Sequence, residues 1–324
     1  FKLGALWVPM DGTTVKFNFG EGFRAPTMDD LYGATTFSAN SVKDYAACAA
    51  SGVASAKCPT KQVSTLIKAN PNLGPETSES FTFSVEQDMG MLVDALDGLN
   101  VRFDYYEITI NDAIASISTQ DVMWNDFVGG SALSNNVTYY DSTGIGADGS
   151  AAGSPVGTGA VGGSCPAGAA YVKREGNDPA IYIIRSCANG RADYVGAGFT
   201  NVGQIEVIGH DLFVNYTRDI GPGVMNVSLD YTNMDEYNTD SFTGSSQTTN
   251  NVGFPGVPQS RNNIGVSYAW DIYSVALTQR NIGDYKLSDE AELDGAGNPT
   301  GGKVAVGDNQ DEYSVLDLQI TADL

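Results

Sequence analysis

At 324 residues the chain is long enough for one large β domain or two smaller ones. Its 39 Asp and Glu against 17 Lys and Arg leave a formal charge of −22, a field that repels phosphate backbones and argues against nucleic-acid binding. Gly, Asn, Thr, Ser and Tyr outweigh the helix formers, and no apolar run approaches the ~20 residues of a membrane helix, so any crossing of a bilayer must use alternating strands.

Period-two alternation marks the elements in order. Leu3–Val8 and Thr13–Phe19 are strands joined by the tight turn Pro9-Met10-Asp11-Gly12, with Val15, Phe17 and Phe19 opposite Lys16 and Asn18. Gly20 and Gly22 are expected to end the second strand, and Arg24–Pro26 to turn the chain into a loop reaching Thr77. Ser78–Gln87 and Leu99–Asn111 follow as strands around a modest connection. From Asp112 to Val202 the chain reads as a very long loop, with a short helix or strand within Ile114–Val122 and a flexible Gly/Ser/Ala-rich middle. Gln204–Arg218 and Val224–Asn233 flank a tight turn at Asp219–Gly223. A polar loop runs to Gln259, a hairpin Arg261–Trp270/Ile272–Gly283 turns at Asp271, and an acidic loop leads to a last strand, Glu312–Leu324.

Connections therefore alternate short and long, with long loops at about 20–77, 112–202, 234–259 and 284–311. In an up-and-down barrel every second connection lies at the same end, so this pattern gathers the long loops on one rim and the tight turns on the other, as outer-membrane barrels do. Trp7, Tyr216, Trp270 and Tyr273 lie near the tight turns, where an aromatic girdle is expected. The fold class that follows is all-β: an antiparallel transmembrane β-barrel, partial, of about nine strands, with long extracellular loops and residues 1–324 in a single barrel domain. Lys16, Asn18, Arg102, Asp104, Asn226, Asp230, Arg280 and Asp317 would then face the lumen, paired with one another or with a plug, or lining a substrate path.

Enzyme chemistry is weakly supported. The only histidine, His210, sits in an alternating strand and no GxSxG elbow exists. The carboxylate pairs Asp29-Asp30, Asp235-Glu236, Asp289-Glu290 and Asp311-Glu312 are adjacent, which in extended chain points them apart. Asn233, Asp235, Asn238 and Asp240 offer oxygen ligands for a loop calcium site, though without EF-hand spacing, and a solvated loop is the plainer reading. Gly157–Gly163 lacks the strand and helix of a phosphate cradle. No catalytic residue, cofactor or resident metal is assigned beyond calcium in the acidic loops. Four cysteines in loop-like sequence point to disulfides and an oxidising compartment, with local pairs Cys48–Cys58 and Cys165–Cys187 favoured because each lies within one loop.

Two motifs then suggest a family. Phe23, Arg24, Ala25 and Pro26 followed by Leu31 and Tyr32, and then Asn70, Pro71, Asn72, Leu73, Pro75, Glu76 and Thr77 leading into the next strand, resemble the two hallmarks of TonB-dependent outer-membrane receptors. The Cys48/Cys58 loop resembles a subgroup some of whose members handle carbohydrates. The resemblance implies a barrel of about 22 strands closed by a plug, energy delivered by a periplasmic TonB complex, and location in the outer membrane of a Gram-negative bacterium among its lipids, loops outward. This chain carries neither plug nor partner-contacting box and opens mid-pattern, so it reads as the C-terminal part of such a barrel. The motif residues read as structural.

The function that follows is energy-dependent uptake of a scarce extracellular ligand, a carbohydrate or a metal chelate. A passive porin or structural surface barrel is the alternative, and a secreted β-sandwich binding module or glycosidase a further one. Asp284, Asp289, Glu290, Glu292, Asp294, Asp308, Asp311 and Glu312, against Lys286 and Lys303, disfavour an anionic chelate, whereas Tyr139, Tyr140, Tyr171 and Tyr182 are candidates to stack on sugar rings.

Overall fold

A computed structural model describes residues 1–128, 133–143, 155–176, 180–240, 248–293 and 299–323. In chain order the strands are β1 (Lys2–Met10), β2 (Thr13–Arg24), β3 (Thr36–Lys43), β4 (Thr60–Lys68), β5 (Glu76–Asp88), β6 (Leu99–Asn111), β7 (Ile114–Ser116), β8 (Leu133–Tyr140), β9 (Gly157–Ala160) and β10 (Tyr171–Gly176). They continue with β11 (Tyr182–Ser186), β12 (Ala192–Asn201), β13 (Ile205–Ile220), β14 (Gly223–Asp240), β15 (Thr248–Asn250), β16 (Ser260–Trp270), β17 (Tyr273–Ile282), β18 (Tyr285–Leu293), β19 (Pro299–Gln310) and β20 (Tyr313–Ala322). The α-helices are α1 (Met28–Tyr32), α2 (Tyr45–Ala50) and α3 (Thr119–Val128).

Nine strands run in one antiparallel path, β1-β2-β5-β6-β13-β14-β16-β17-β20, open at both edges, with β15 added beside β14. They correspond to the nine alternating segments of the sequence. Register carries the alternation across the sheet. On one face Trp7, Val15, Val85, Phe103, Leu212 and Tyr231 stand in a row, as do Tyr216, Val227, Val266, Leu277 and Leu318. On the other face Lys16, Ser84, Asp104, Asp211, Thr232 and Arg261 form a polar row.

The apolar face covers nothing. Every buried hydrophobic residue among the described residues lies outside these nine strands, while Trp7, Leu316, Leu318 and Ile320 are 63–69% exposed. A water-soluble sandwich buries that face against a second sheet, whereas a transmembrane barrel turns it to lipid. Near the short turns Tyr268 stacks on Trp270 at 5.4 Å and Trp270 approaches Tyr273 at 5.7 Å, on the apolar face where a girdle belongs. The β13–β14 turn is two residues long, Gly221-Pro222, with Gly221 at φ +59° as a hairpin turn that opens on glycine requires.

Sequence-based boundaries fail where distant segments pair. β2 does not end at Gly20: it runs to Arg24, in register with β5 as far as Glu76, so no Arg24–Pro26 turn forms. Thr27 and Asp30 instead make a capping box that starts α1. The stretches expected as loops at 20–77 and 112–202 are largely folded. β3-β4-β12-β11-β10-β8-β9 make a second, eight-stranded sheet together with β7, with β4 and β12 parallel. Its core joins Val42 and Val63 to Val122 and Met123 of α3 and to Ile181, Ile183, Val195 and Ala197. This compact unit is called the cap below. Ile114–Val122 becomes β7 plus the first turns of α3, and part of the glycine-rich middle becomes β9, while residues 144–154 fall outside the described set. The 234–259 stretch is shortened by the extension of β14 to Asp240, and the acidic 284–311 stretch is mostly the β18–β19 hairpin.

Candidate functional site

The motif residues meet where the nine-stranded sheet passes into the cap. Arg24 and Glu76 face each other across β2 and β5, and the guanidinium donates through Nε to Oε1 at 2.6 Å and through Nη2 to Oε2 at 2.9 Å. Glu76 Oε2 also accepts the Ile114 amide at 3.0 Å, which fixes the start of β7. Asn70, 1% exposed, accepts the Asn72 amide at 2.9 Å and donates to Phe199 O at 3.1 Å, while its own amide donates to Asp30 O at 2.7 Å. Asn201 holds Gly74 from both sides, accepting its amide at 2.9 Å and donating to its carbonyl at 3.0 Å, and reaches Asp112 O at 2.7 Å. Leu73 is buried, whereas Phe23 and Tyr32 are exposed and free to meet solvent or lipid.

A charged network lies deeper in the cap. Arg185 donates through Nε to Asp126 Oδ2 at 2.9 Å, through Nη1 to Asp44 Oδ2 and Gly190 O at 2.9 Å, and through Nη2 to Asp44 Oδ1 at 3.0 Å and Asp126 Oδ2 at 2.6 Å. Arg174 takes the other oxygen of Asp126 at 2.8 Å and caps Ser134 O and Leu133 O. Burial alone would raise the Asp44 carboxyl, but hydrogen bonds and charge from Arg185, with the Ala192 and Ala47 amides, outweigh it and hold Asp44 below the ordinary carboxylate range. This network binds α2, α3, β10 and β11, and Cys48–Cys58 and Cys165–Cys187 are both disulfide-bonded beside it, with Cα separations of 5.8 and 6.0 Å. Between the cap and the β18–β19 hairpin runs a groove of about 310 Å³ lined by Tyr45, Trp124, Gln120, Asp289 and Lys303, with the Lys303 ammonium 3.6 Å from Asp121 and 3.8 Å from Asp289.

Other expected residues land elsewhere. Tyr139, Tyr140 and Tyr182 are buried in the cap sheet and Tyr171 is half-buried, so they are not an open stacking surface for a sugar. Tyr182 instead lies under Lys68 and Lys173. His210 donates through Nδ1–H to Asp235 Oδ2 at 3.0 Å and packs on Phe103, a side-chain contact of the sheet rather than a catalytic pair. Asn233, Asp235, Asn238 and Asp240 are on β14, not in a loop, and are engaged with His210, Glu206, Glu236, Gln204 and Thr248. Among the described residues no group of three His, Cys, Asp or Glu is placed to hold a metal ion. On the polar face Lys16 pairs with Glu86, Arg102 with Asp104 and Arg280 with Asp317. Asp294 lies outside the described residues. Asn201 and the Asp44–Arg185–Asp126–Arg174 network carry no motif, and their one sequence signal is an arginine ending the apolar run Ile181–Ile184.

A family model described as TonB dependent receptor-like, beta-barrel, matches residues 1–324. The chain belongs to that family. No curated protein matches the sequence. Solved receptor structures share its fold: the siderophore receptor PirA of Acinetobacter baumannii, at TM-score 0.51 and 12% identity, over 98% of this chain and 34% of that one. A variant of the ferric enterobactin receptor PfeA of Pseudomonas aeruginosa, in complex with enterobactin, matches at TM-score 0.52 and 16% identity, over 100% of this chain and 32% of that one. This TonB-dependent receptor barrel segment thus spans about a third of the length of those receptors. The family is one of receptors rather than enzymes.

Proposed function

We propose that residues 1–324 are part of a single barrel domain of a receptor in the outer membrane of a Gram-negative bacterium, with the cap outside. The receptor imports a scarce ligand, a carbohydrate or a metal chelate, on energy passed through a plug from a TonB complex. The observation that carries this reading is the sheet whose apolar face buries no hydrophobic residue while all its long connections gather at one end, two of them folded into a cap. A cap with its own core suits capture and gating better than free diffusion through an open porin. Asp284, Asp289, Asp308, Asp311 and Glu312, with Lys286 and Lys303 as the cations nearby in sequence, favour a ligand that is neutral or cationic overall. That extends to ferric siderophores only where the chelate carries no net negative charge. The motif residues, on this reading, position the cap on the barrel and do not touch ligand.

The test uses the full-length receptor in cells, comparing growth on a scarce neutral oligosaccharide or a neutral metal chelate with and without the energy-transducing complex. Dependence on both receptor and complex is expected. Uptake that survives loss of the complex, or a stable open conductance of the receptor in planar bilayers, would replace this reading with the porin.

A further inference from the structure

The cap contains a pocket of about 430 Å³ on one face of its sheet. Register builds its floor: Tyr139, Val172 and Arg185 stand side by side on β8, β10 and β11, and Val137, Arg174 and Ile183 form the next row on the same face. Ala46 of α2 and Asp126 of α3 close one side, and the chain from Ala160 to Cys165, tied down by the Cys165–Cys187 disulfide, closes the other. The volume falls within the range of about 300–1,000 Å³ found for small-molecule sites, and the mostly apolar lining is of the same kind.

The charges in these walls are spent. Two guanidinium groups are matched by the carboxylates of Asp44 and Asp126, and all five N–H groups of Arg185 already have acceptors. An anion would find no free guanidinium there without breaking a buried pair, and a cation no free carboxylate. The Ser186 hydroxyl accepts the Ala188 amide. Tyr139 differs: it lines the pocket, and its hydroxyl, set beside Gly159 and Gly163, has no hydrogen-bond partner among the described residues. A hydroxyl that opens on a pocket without a protein partner is normally answered by water or ligand.

We propose that this pocket binds an uncharged aromatic ring bearing a hydroxyl group, that is, a phenolic compound. The ring fills the space over Val137, Val172 and Ile183, and its hydroxyl pairs with Tyr139. A sugar fits worse, because several of its hydroxyls would face the apolar side chains of Val137, Val172 and Ile183. The proposal rests on the pocket walls alone and not on the uptake reading, so either can fail without the other.

The experiment is a titration of the full-length receptor in detergent with 2-naphthol, and with 2-naphthoate, naphthalene and methyl β-glucoside as comparators. One saturable site for 2-naphthol is expected, with 2-naphthoate weaker by at least about tenfold because its charge would be buried unpaired. Tyr139→Phe should weaken 2-naphthol about fivefold and leave naphthalene unchanged, the effect of one neutral hydrogen bond. Val161 lines the mouth at 46% exposed, so Val161→Trp blocks entry without disturbing the core and should abolish the saturable component, which also separates it from partition into detergent. Each variant is used only if both disulfides form and the barrel remains heat-modifiable, and Val161→Trp keeps the test decisive if Tyr139→Phe does not fold. The proposal is overturned if 2-naphthol shows no saturable binding, if 2-naphthoate binds as well, if the glucoside displaces 2-naphthol, or if Val161→Trp binds like the parent.

Discussion

Replacing Arg185 by Met is the sharpest test of how the cap is held together. The substitution keeps a long apolar stem but removes five donors from two carboxylates whose side chains are only 7% and 9% exposed. Breaking a buried ion pair by deleting one partner costs about 3–5 kcal/mol, because the remaining charge stays buried. Here Asp126 keeps Arg174, and Asp44 keeps the amides of Ala47 and Ala192 at 3.1 and 3.0 Å, so the lower end, about 3 kcal/mol, is expected. Limited proteolysis of the full-length receptor in detergent reads this directly, since cleavage of a transiently opened unit tracks its opening equilibrium. Cleavage within the cap should accelerate by about a hundredfold, as about 3 kcal/mol implies, while the barrel keeps its heat-modifiable migration. The effect carries a pH signature. The folded pKa of Asp44 lies below its unfolded value, so its contribution is fully present above about pH 4 and drains away as pH falls through the folded value. The gap between parent and variant must therefore narrow in acid. Equal protease resistance at neutral pH, or a gap that widens on acidification, would refute the network as the cap's electrostatic anchor.

Further outcomes are expected elsewhere in the molecule. Glu76→Ala should loosen the junction of cap and sheet by about 1.5–3 kcal/mol, the scale of charged hydrogen bonds lost with Arg24 and the Ile114 amide. Faster proteolysis beginning near residues 112–118, with the sheet intact, would show it, and unchanged cleavage would remove the pair from any anchoring role. Replacing both Cys165 and Cys187 by Ala frees a segment closed over a sequence separation of 22, worth about 3 kcal/mol in the chain-entropy account, and reductant, which opens both disulfides, should loosen the parent's cap at least as much. A cap equally resistant with and without reductant would contradict this. On the apolar face, Ile264→Arg should reduce heat-modifiable barrel at a cost of about 2–4 kcal/mol near mid-bilayer, while Thr278→Arg on the polar face, in register with Asp317, should be tolerated. Equal tolerance of both substitutions would sink the membrane orientation of the sheet.

What the sequence by itself determined is the nine-stranded sheet. The period of two is a property of each segment alone: Val101, Phe103 and Tyr105 against Arg102 and Asp104 declare a strand and its two faces without knowledge of any partner. Short turns followed the same logic, since Gly221-Pro222 is chosen by local backbone geometry. The two motifs were legible as motifs, but not that Arg24 and Glu76 would clasp each other across 52 residues, nor that Asn201 would grip Gly74 from 127 residues away. The cap was misread as loop for the same reason. β4 pairs with β12 in parallel from across the β5–β6 hairpin, and β11 and β12 are buried along most of their length beneath α3, so these strands show no clean alternation. Tyr139, Tyr140 and Tyr182 looked like surface aromatics because nothing nearby in sequence says what covers them. Membrane-facing strands answer to a uniform solvent, lipid on one side, and so write their pattern locally. A folded cap answers to its own distant segments, and only the tertiary structure brings those together.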